Sequence, residues 1–527
     1  MRCWGKTQTW KPASTVPIDI PVKSNSMSRV RFNVAANIAG QVWSLLLAIL
    51  CTPFFIKLLG MEGYALIAFY LVLQATLQIL DLGFATTVNR EVARLSPKAN
   101  PADIRELGQF AATAQRWYWT LGCGTGIVMY FATPYIASTW LNAESIPRND
   151  LTESARLFGL LACLQWPVSF YQNGLIGMQR QVTLNLITIP FSALSNLGGL
   201  LFLWLGPRSV TGLLSWQVLV LLVQLAVVNH RFWRDLGVPR ETRHFNLHVL
   251  KDKWRFSLGM GGISITGLIL THLDKLILSR LLSLESFGHY SLAGTLARGL
   301  YVMITPVFNA YFPRFSALAP GGDKVSMRLC YHSAAQVMSV LILPLAVTIG
   351  FFSYEIAFLW LQDPSVAKTV APIASLLVVG NCLNGLMNIP FALQLARGNT
   401  KIGLYISVCL VAGLVPAMIL AVSQYGVTGG AATWGVMNGL YLLVALPLTH
   451  KYLLPGETGN WVKFDLLPPL VSALAIAGIG RAALEPGQPA AATLVTVGSI
   501  WLLATAVAAL SARQVRSVVR QLIGMRG

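Results

Sequence analysis

Arg298, Lys275, Asp274 and Asp81 carry charge inside stretches that are otherwise apolar and long enough to span a bilayer. A charge at membrane depth costs about 2.5 kcal/mol or more, so each must face protein or water. Arg298 lies roughly 16 Å into its stretch at 1.5 Å per residue, which is the midplane and too deep for easy snorkelling. Its planar guanidinium suits bidentate contact with a phosphate or carboxylate in a wet cavity; the other reading is a structural ion pair. Lys275 stands five residues before Arg280, so snorkelling to the surface competes with a binding role. Asp274 can pair with Arg298 on the next span, or with Lys275 only across a distorted turn, since neighbours on a helix point about 100° apart. Asp81, with Gly83 just after it to loosen the helix, fits a structural hydrogen bond and proton or ion coupling equally.

Uncharged polar residues form stripes. Asn33, Asn37 and Gln41 follow i, i+4, i+8; Gln74 and Gln78 repeat the spacing, and Asn381, Asn384 and Asn388 share a face. Amides donate and accept, as sugar hydroxyls require, and they also join helices to one another. Trp117, Tyr118 and Trp119 read as an interfacial belt. Gly122, Gly124 and Gly126 sit within an apolar span, where close helix packing explains them better than nucleotide binding.

The elements carrying these residues must be transmembrane helices. The chain has 527 residues, 55% hydrophobic and 11% charged, against roughly a quarter charged in soluble domains. Its apolar residues come in long blocks, not the alternation of an outer-membrane barrel. The net charge of +19 lies mostly between the blocks, where topology and anionic lipids account for it; nucleic acid is not an expected partner. No CxxC or HExxH is present, so no metal site and no cofactor are expected.

Apolar windows predict fourteen spans: Asn33–Ile56, Tyr64–Val88, Trp117–Trp140, Ser154–Gly177, Leu184–Leu205, Thr211–Asn229, Phe256–Leu278, Phe287–Phe312, Ser333–Phe352, Val370–Leu395, Ile402–Val422, Val427–Thr449, Leu466–Gly480 and Ala491–Leu510. Alternate loops hold 30 of the 39 Lys and Arg residues, which puts both termini in the cytoplasm of a bacterial inner-membrane protein. Residues 1–28 read as a disordered cytoplasmic tail without a signal peptide, and Met27 is a plausible start.

A repeat organises the spans. Lys57-Leu58-Leu59-Gly60-Met61-Glu62 ends span one, and Arg280-Leu281-Leu282-Ser283-Leu284-Glu285 ends span seven. Six spans separate the copies, so they point the same way: a parallel repeat about the membrane normal. The expected domains are an N-lobe (29–230), a basic linker (231–255), a C-lobe (256–450), and two further spans with a tail (451–527). The fold class is an all-α integral membrane protein, two six-helix lobes plus two helices around a central cavity.

Several stretches resemble the polysaccharide-export flippases of the multidrug/oligosaccharidyl-lipid/polysaccharide superfamily. They are Asn33-Val34-Ala35-Ala36-Asn37 and Phe55 to Tyr64; Ile79-Leu80-Asp81-Leu82-Gly83-Phe84 with Asn89-Arg90-Glu91; and Asp274 to Leu278 with Gly288-His289-Tyr290-Ser291-Leu292-Ala293. The resemblance implies a flippase that turns a polyprenyl-diphosphate-linked oligosaccharide from the cytoplasmic to the outer face by alternating access. On that reading Arg298, Lys275, Asp274, Asn33, Asn37 and Gln41 line the cavity, and Arg90 and Arg314 attract the headgroup at the cytoplasmic mouth. Membrane lipids and a polysaccharide polymerase or other assembly protein are the expected partners. A cation-coupled drug antiporter of the same superfamily needs more membrane carboxylates than Asp81 and Asp274. A membrane polymerase or ligase needs larger outer loops. No P-loop is present for an ATP-driven pump.

Overall fold

The computed structural model describes residues 24–95, 100–246, 248, 272–320, 323–398, 400–485 and 487–517. Residues 1–23 of the expected tail, the later part of the linker and most of the expected seventh span lie outside them. Residues 24–28, expected in the tail, form the start of a helix instead.

Among the described residues the chain is helical throughout, with one isolated bridge, Asn142 to Ser283. α1 (Ser24–Leu77) has 54 residues. At 1.5 Å each it would measure about 80 Å, far more than a hydrocarbon core of about 30 Å. Gly60, with φ 75°, breaks it into two; a side chain disfavours that conformation and glycine does not. A 3₁₀ turn (Gln78–Asp81) then leads to α2 (Phe84–Leu95). α3 (Pro101–Tyr135) and α4 (Arg148–Gly177) follow, then α5 (Gln181–Ala193), α6 (Gly199–Leu205) and α7 (Val210–Leu236).

After the linker, α8 is described over 272–281. α9 (Leu284–Ala297) and α10 (Tyr301–Leu318) flank a 3₁₀ turn, Arg298–Leu300. α11 (Lys324–Phe351), α12 (Ser353–Leu361) and α13 (Pro364–Ala396) lead to α14 (Thr400–Leu453), a second 54-residue helix broken at a glycine, Gly426. α15 (Glu457–Asn460) enters a π turn (Trp461–Leu466), then α16 (Leu467–Ala483) and α17 (Ala490–Ser511). The thirteenth span is therefore longer than expected. Pro468 and Pro469 sit in the first turn of α16, where a missing N–H costs nothing.

Nine helical stretches among the described residues are long and apolar enough to cross a membrane. Two of them, Val42–Asp81 and Val408–Leu453, contain the glycine breaks. α3 and α4 are long enough but less apolar, diluted by Gly, Thr and aromatic residues in one and amides in the other. Large apolar side chains cover the outside of the bundle: Phe131 is 76% exposed and Leu443 72%. Water would not tolerate such a surface, and lipid does.

Gly122 and Gly126 pack helix on helix, as expected, whereas Gly124 is exposed and packs against nothing. A Cβ on Gly122 would stand 2.4 Å from the Cys163 carbonyl oxygen of α4. The two copies of the Lys57/Arg280 motif lie at one end of the bundle. Glu62 accepts the backbone N–H groups of Glu144, Ser145 and Ile146 at 2.7–3.0 Å. In the same segment Asn142 donates to the Arg280 and Leu282 carbonyls, both at 3.3 Å.

A buried polar cluster ties the last helices to α11. His332 sits between Asp465 (2.5 Å) and Glu457 (3.2 Å), and Gln336 donates to the other Asp465 oxygen at 2.9 Å. Asp465 is fully buried. Removing one member of a buried ionic set leaves the rest unmet, at about 3–5 kcal/mol. Asp465→Ala is expected to lower the melting temperature of the detergent-purified protein well beyond the surface change Lys368→Ala. Equal melting of the two would contradict a structural tie.

Candidate functional site

Arg298 opens the 3₁₀ turn that interrupts the α9–α10 crossing. Gly299 next to it weakens the helix, and a 3₁₀ turn in mid-helix marks a hinge. The guanidinium is exposed, donates one hydrogen bond to Thr295 Oγ1 at 3.0 Å, and makes no ion pair among the described residues. The site is thus an exposed cation, open to an incoming anion.

Asp274 does not pair with Arg298. It is buried and accepts from Tyr290 Oη at 2.8 Å and Lys275 Nζ at 3.3 Å. The Asp274–Lys275 contact needs no turn distortion, because the four-carbon lysine stem folds back along a regular helix. Lys275 is mostly buried, so it does not snorkel.

Asp81 closes the break in the second crossing. Leu82 (φ 50°) and Gly83 (φ 77°) are left-handed, and they turn the Asp81 carboxylate onto the start of α2. It accepts from Ala85 N at 2.8 Å and from Tyr118 Oη at 2.6 Å. Tyr118 is therefore not part of an interfacial belt. It is fully buried, because its hydroxyl finds a carboxylate inside the bundle.

The amide stripes divide. Asn33, Asn37 and Gln41 lie on α1, and their side chains lie outside the described residues. The α13 stripe serves helix packing: Asn384 accepts from Tyr301 Oη (3.1 Å) and donates to Asn438 (3.0 Å), while Asn381 accepts from Trp434 Nε1 (2.9 Å). Gln74 and Gln78 line a cavity of about 290 Å³ between the break at Gln78–Gly83 and α4. Across it stand Gln165, Ser169 and Asn173, with Trp166. Those three α4 residues follow i, i+4, i+8, the spacing of the other stripes, and it is present in the sequence. Tyr290 and Thr295 carried no such signal, because only the turn between α8 and α9 brings Tyr290 back to Asp274.

Arg90 and Arg314 do not meet. Arg90 pairs with the buried Glu91 at 2.8 Å, in a network that continues through Arg94 to Glu106. Arg314 is exposed and lies 5.4 Å from the Tyr311 ring centre. Among the described residues no cluster of His, Cys, Asp and Glu could hold a metal.

The Asp274–Tyr290 bond yields a test. Tyr290→Phe removes a hydrogen bond to a charged group, about 1.5–3 kcal/mol, and is expected to lower the melting temperature. Because Asp274 and Arg298 are not partners, Asp274→Asn is not expected to restore an Arg298→Gln protein in folding or function. A double variant healthier than either single one would show that they are.

The sequence family described as polysaccharide biosynthesis protein matches residues 30–319, more than half of the chain. A putative O-antigen transporter of Shigella flexneri is 21% identical over 408 residues, 77% of this chain and 94% of its own. The lipopolysaccharide biosynthesis protein WzxC of Escherichia coli K12 is 23% identical over 246 residues, 45% of this chain and 49% of its own. Among solved structures, the lipid II flippase MurJ in an inward closed conformation superposes with a TM-score of 0.70 at 14% identity, covering 93% of this chain and all of MurJ. An inward-facing multidrug resistance MATE transporter follows at 0.61 and 15%, covering 78% of this chain and 94% of its own. The expected fold stands: an all-helical, multi-pass membrane protein that belongs to the polysaccharide biosynthesis protein family.

Proposed function

We propose that this protein is a flippase that moves a polyprenyl-diphosphate-linked oligosaccharide across the bacterial inner membrane, and that it is not an enzyme. The single observation that carries this is Arg298: a midspan guanidinium that is exposed, unpaired among the described residues and set in a break between two helices. A diphosphate gives its fork a bidentate partner. The names of the relatives, an O-antigen transporter and a lipopolysaccharide biosynthesis protein, agree with such a substrate. The drug-antiporter reading has less support, because Asp81 and Asp274 are already engaged with Tyr118 and Tyr290.

Two six-helix lobes, related by a rotation about the membrane normal, provide alternating access by rocking against each other. The Lys57 and Arg280 motif copies, both at one end of the bundle beside the 142–146 segment, are consistent with that. Glycan-assembly proteins are the natural partners on the outer face. Lys275 and the stripe Asn33, Asn37 and Gln41 belong to the proposed cavity, and Arg90 and Arg314 to its cytoplasmic mouth.

Arg298→Ala is expected to insert and accumulate normally but to abolish surface polysaccharide, with Arg298→Lys recovering it in part, because an ammonium matches a diphosphate less well. Full export by a stable Arg298→Ala protein would end the anion-binding reading. The proposed orientation puts Arg240, in the turn Arg240–Thr242 after α7, in the cytoplasm. A cysteine at 240 is expected to resist an impermeant thiol reagent applied to whole cells; labelling from outside would reverse the topology.

A further inference from the structure

The cavity beside the broken second crossing is chemically unlike the Arg298 site. It holds about 290 Å³, near the lower end of small-molecule sites at about 300 Å³. Its polar lining comes from Gln74 at the end of α1, Gln78 and Asp81 of the break, Thr86 of α2, and Gln165, Ser169 and Asn173 of α4. No Lys or Arg lines it. The only charge is the Asp81 carboxylate, which would repel a phosphate. The indole of Trp166 is almost fully buried and supplies a flat apolar wall.

The hydrogen-bonding capacity is mostly unspent. Gln74, Gln78 and Gln165 make no side-chain hydrogen bond among the described residues. The Asn173 amide nitrogen donates to the Ser169 carbonyl at 2.9 Å and leaves its own carbonyl oxygen over. Each free amide can donate and accept at once, and so can each hydroxyl of a sugar. Asp81 already accepts from Ala85 N and Tyr118 Oη and also meets the Phe84 N–H, so of the about four lone-pair sites of a carboxylate about one is left for a sugar hydroxyl. A lone organic cation would use the carboxylate and the indole but would leave the amides unpaired, at a cost for each.

We propose that this cavity is a subsite for one uncharged pyranose ring, neutral or N-acetylated, of the transported glycan. It rests on the flippase reading above, and it divides the labour: Arg298 holds the diphosphate, and the cavity at Asp81 and Gln165 grips the sugar. Such a division makes glycan selectivity a property of α4 and the broken helix, separate from recognition of the lipid carrier. Asp81 is then a sugar ligand as well as a helix cap.

Saturation-transfer NMR on the full chain in nanodiscs tests this. The probes are the methyl glycosides of glucose, galactose, mannose, rhamnose and N-acetylglucosamine, with farnesyl diphosphate and tetraphenylphosphonium alongside. At least one glycoside is expected to bind. The Gln165→Ala, Asn173→Ala double variant is expected to weaken it about tenfold, as two lost hydrogen bonds would, while farnesyl diphosphate binds as before and reports an intact fold. Gln78→Leu provides a second, single-site check, expected to weaken glycoside binding by a smaller factor, with farnesyl diphosphate binding again unchanged. Arg298→Ala is expected to do the reverse, losing farnesyl diphosphate and keeping the glycoside. Unchanged glycoside binding in the cavity variants overturns the subsite. So does tetraphenylphosphonium displacing every bound glycoside. If the wild type takes farnesyl diphosphate but no glycoside, the subsite fails and the flippase reading stands. If it takes neither, both fall.

Discussion

Hydrocarbon offers no hydrogen bonds, so every polar group at membrane depth must find a partner inside the protein or in water. That constraint orders this structure. Several intramembrane polar groups are spent on one another: Asp81 with Tyr118, Asp274 with Tyr290, Asn384 with Asn438, Gln394 with Thr449. Each pair fastens two segments of chain. What stays unspent is informative by contrast. The Arg298 guanidinium and the amides around the 290 Å³ cavity are polar groups for which the fold supplies water or a ligand in place of a protein partner.

The same constraint explains where the helices break. Two interruptions, at Gln78–Gly83 and at Arg298–Leu300, carry a charged residue at the break itself. A broken helix exposes backbone that lipid cannot satisfy, so a break is tolerable only beside protein or a wet cavity. Asp81 repairs one break by capping α2. At the other, the short 3₁₀ turn keeps the backbone bonded while aiming Arg298 outward. Hinges placed at the ligand-facing groups suit a protein that must change shape around its cargo.

Much of this was legible in the sequence. Long apolar blocks could only be helices, and Gly60 and Gly426 fall between expected spans, as connections should. Arg298 stood out because no other arginine lies so deep. Gly122 and Gly126 of α3 read correctly as packing, and Gly124 between them did not. Partnerships were not legible. Whether Asp274 would meet Arg298, Lys275 or Tyr290 depended on how α8 turns into α9, which spacing along one helix cannot reveal. Tyr118 looked like a belt residue because its neighbours are tryptophans, and only the fold brings a carboxylate to its hydroxyl. The His332–Asp465–Glu457 cluster joins residues more than a hundred positions apart, so no local pattern announced it. The α4 stripe of Gln165, Ser169 and Asn173 was readable by the rule that found the others.

The central claim is that a lipid-linked glycan crosses the membrane through this protein. It is tested most directly by deleting the gene, labelling lipid-linked glycans metabolically, and probing spheroplasts with a glycan-modifying enzyme that cannot enter. The account predicts that complete lipid-linked repeat units accumulate and stay protected from the enzyme, and that plasmid-borne wild type restores access. Accumulated units that the enzyme reaches in the deletion strain, or no accumulation at all, would contradict it.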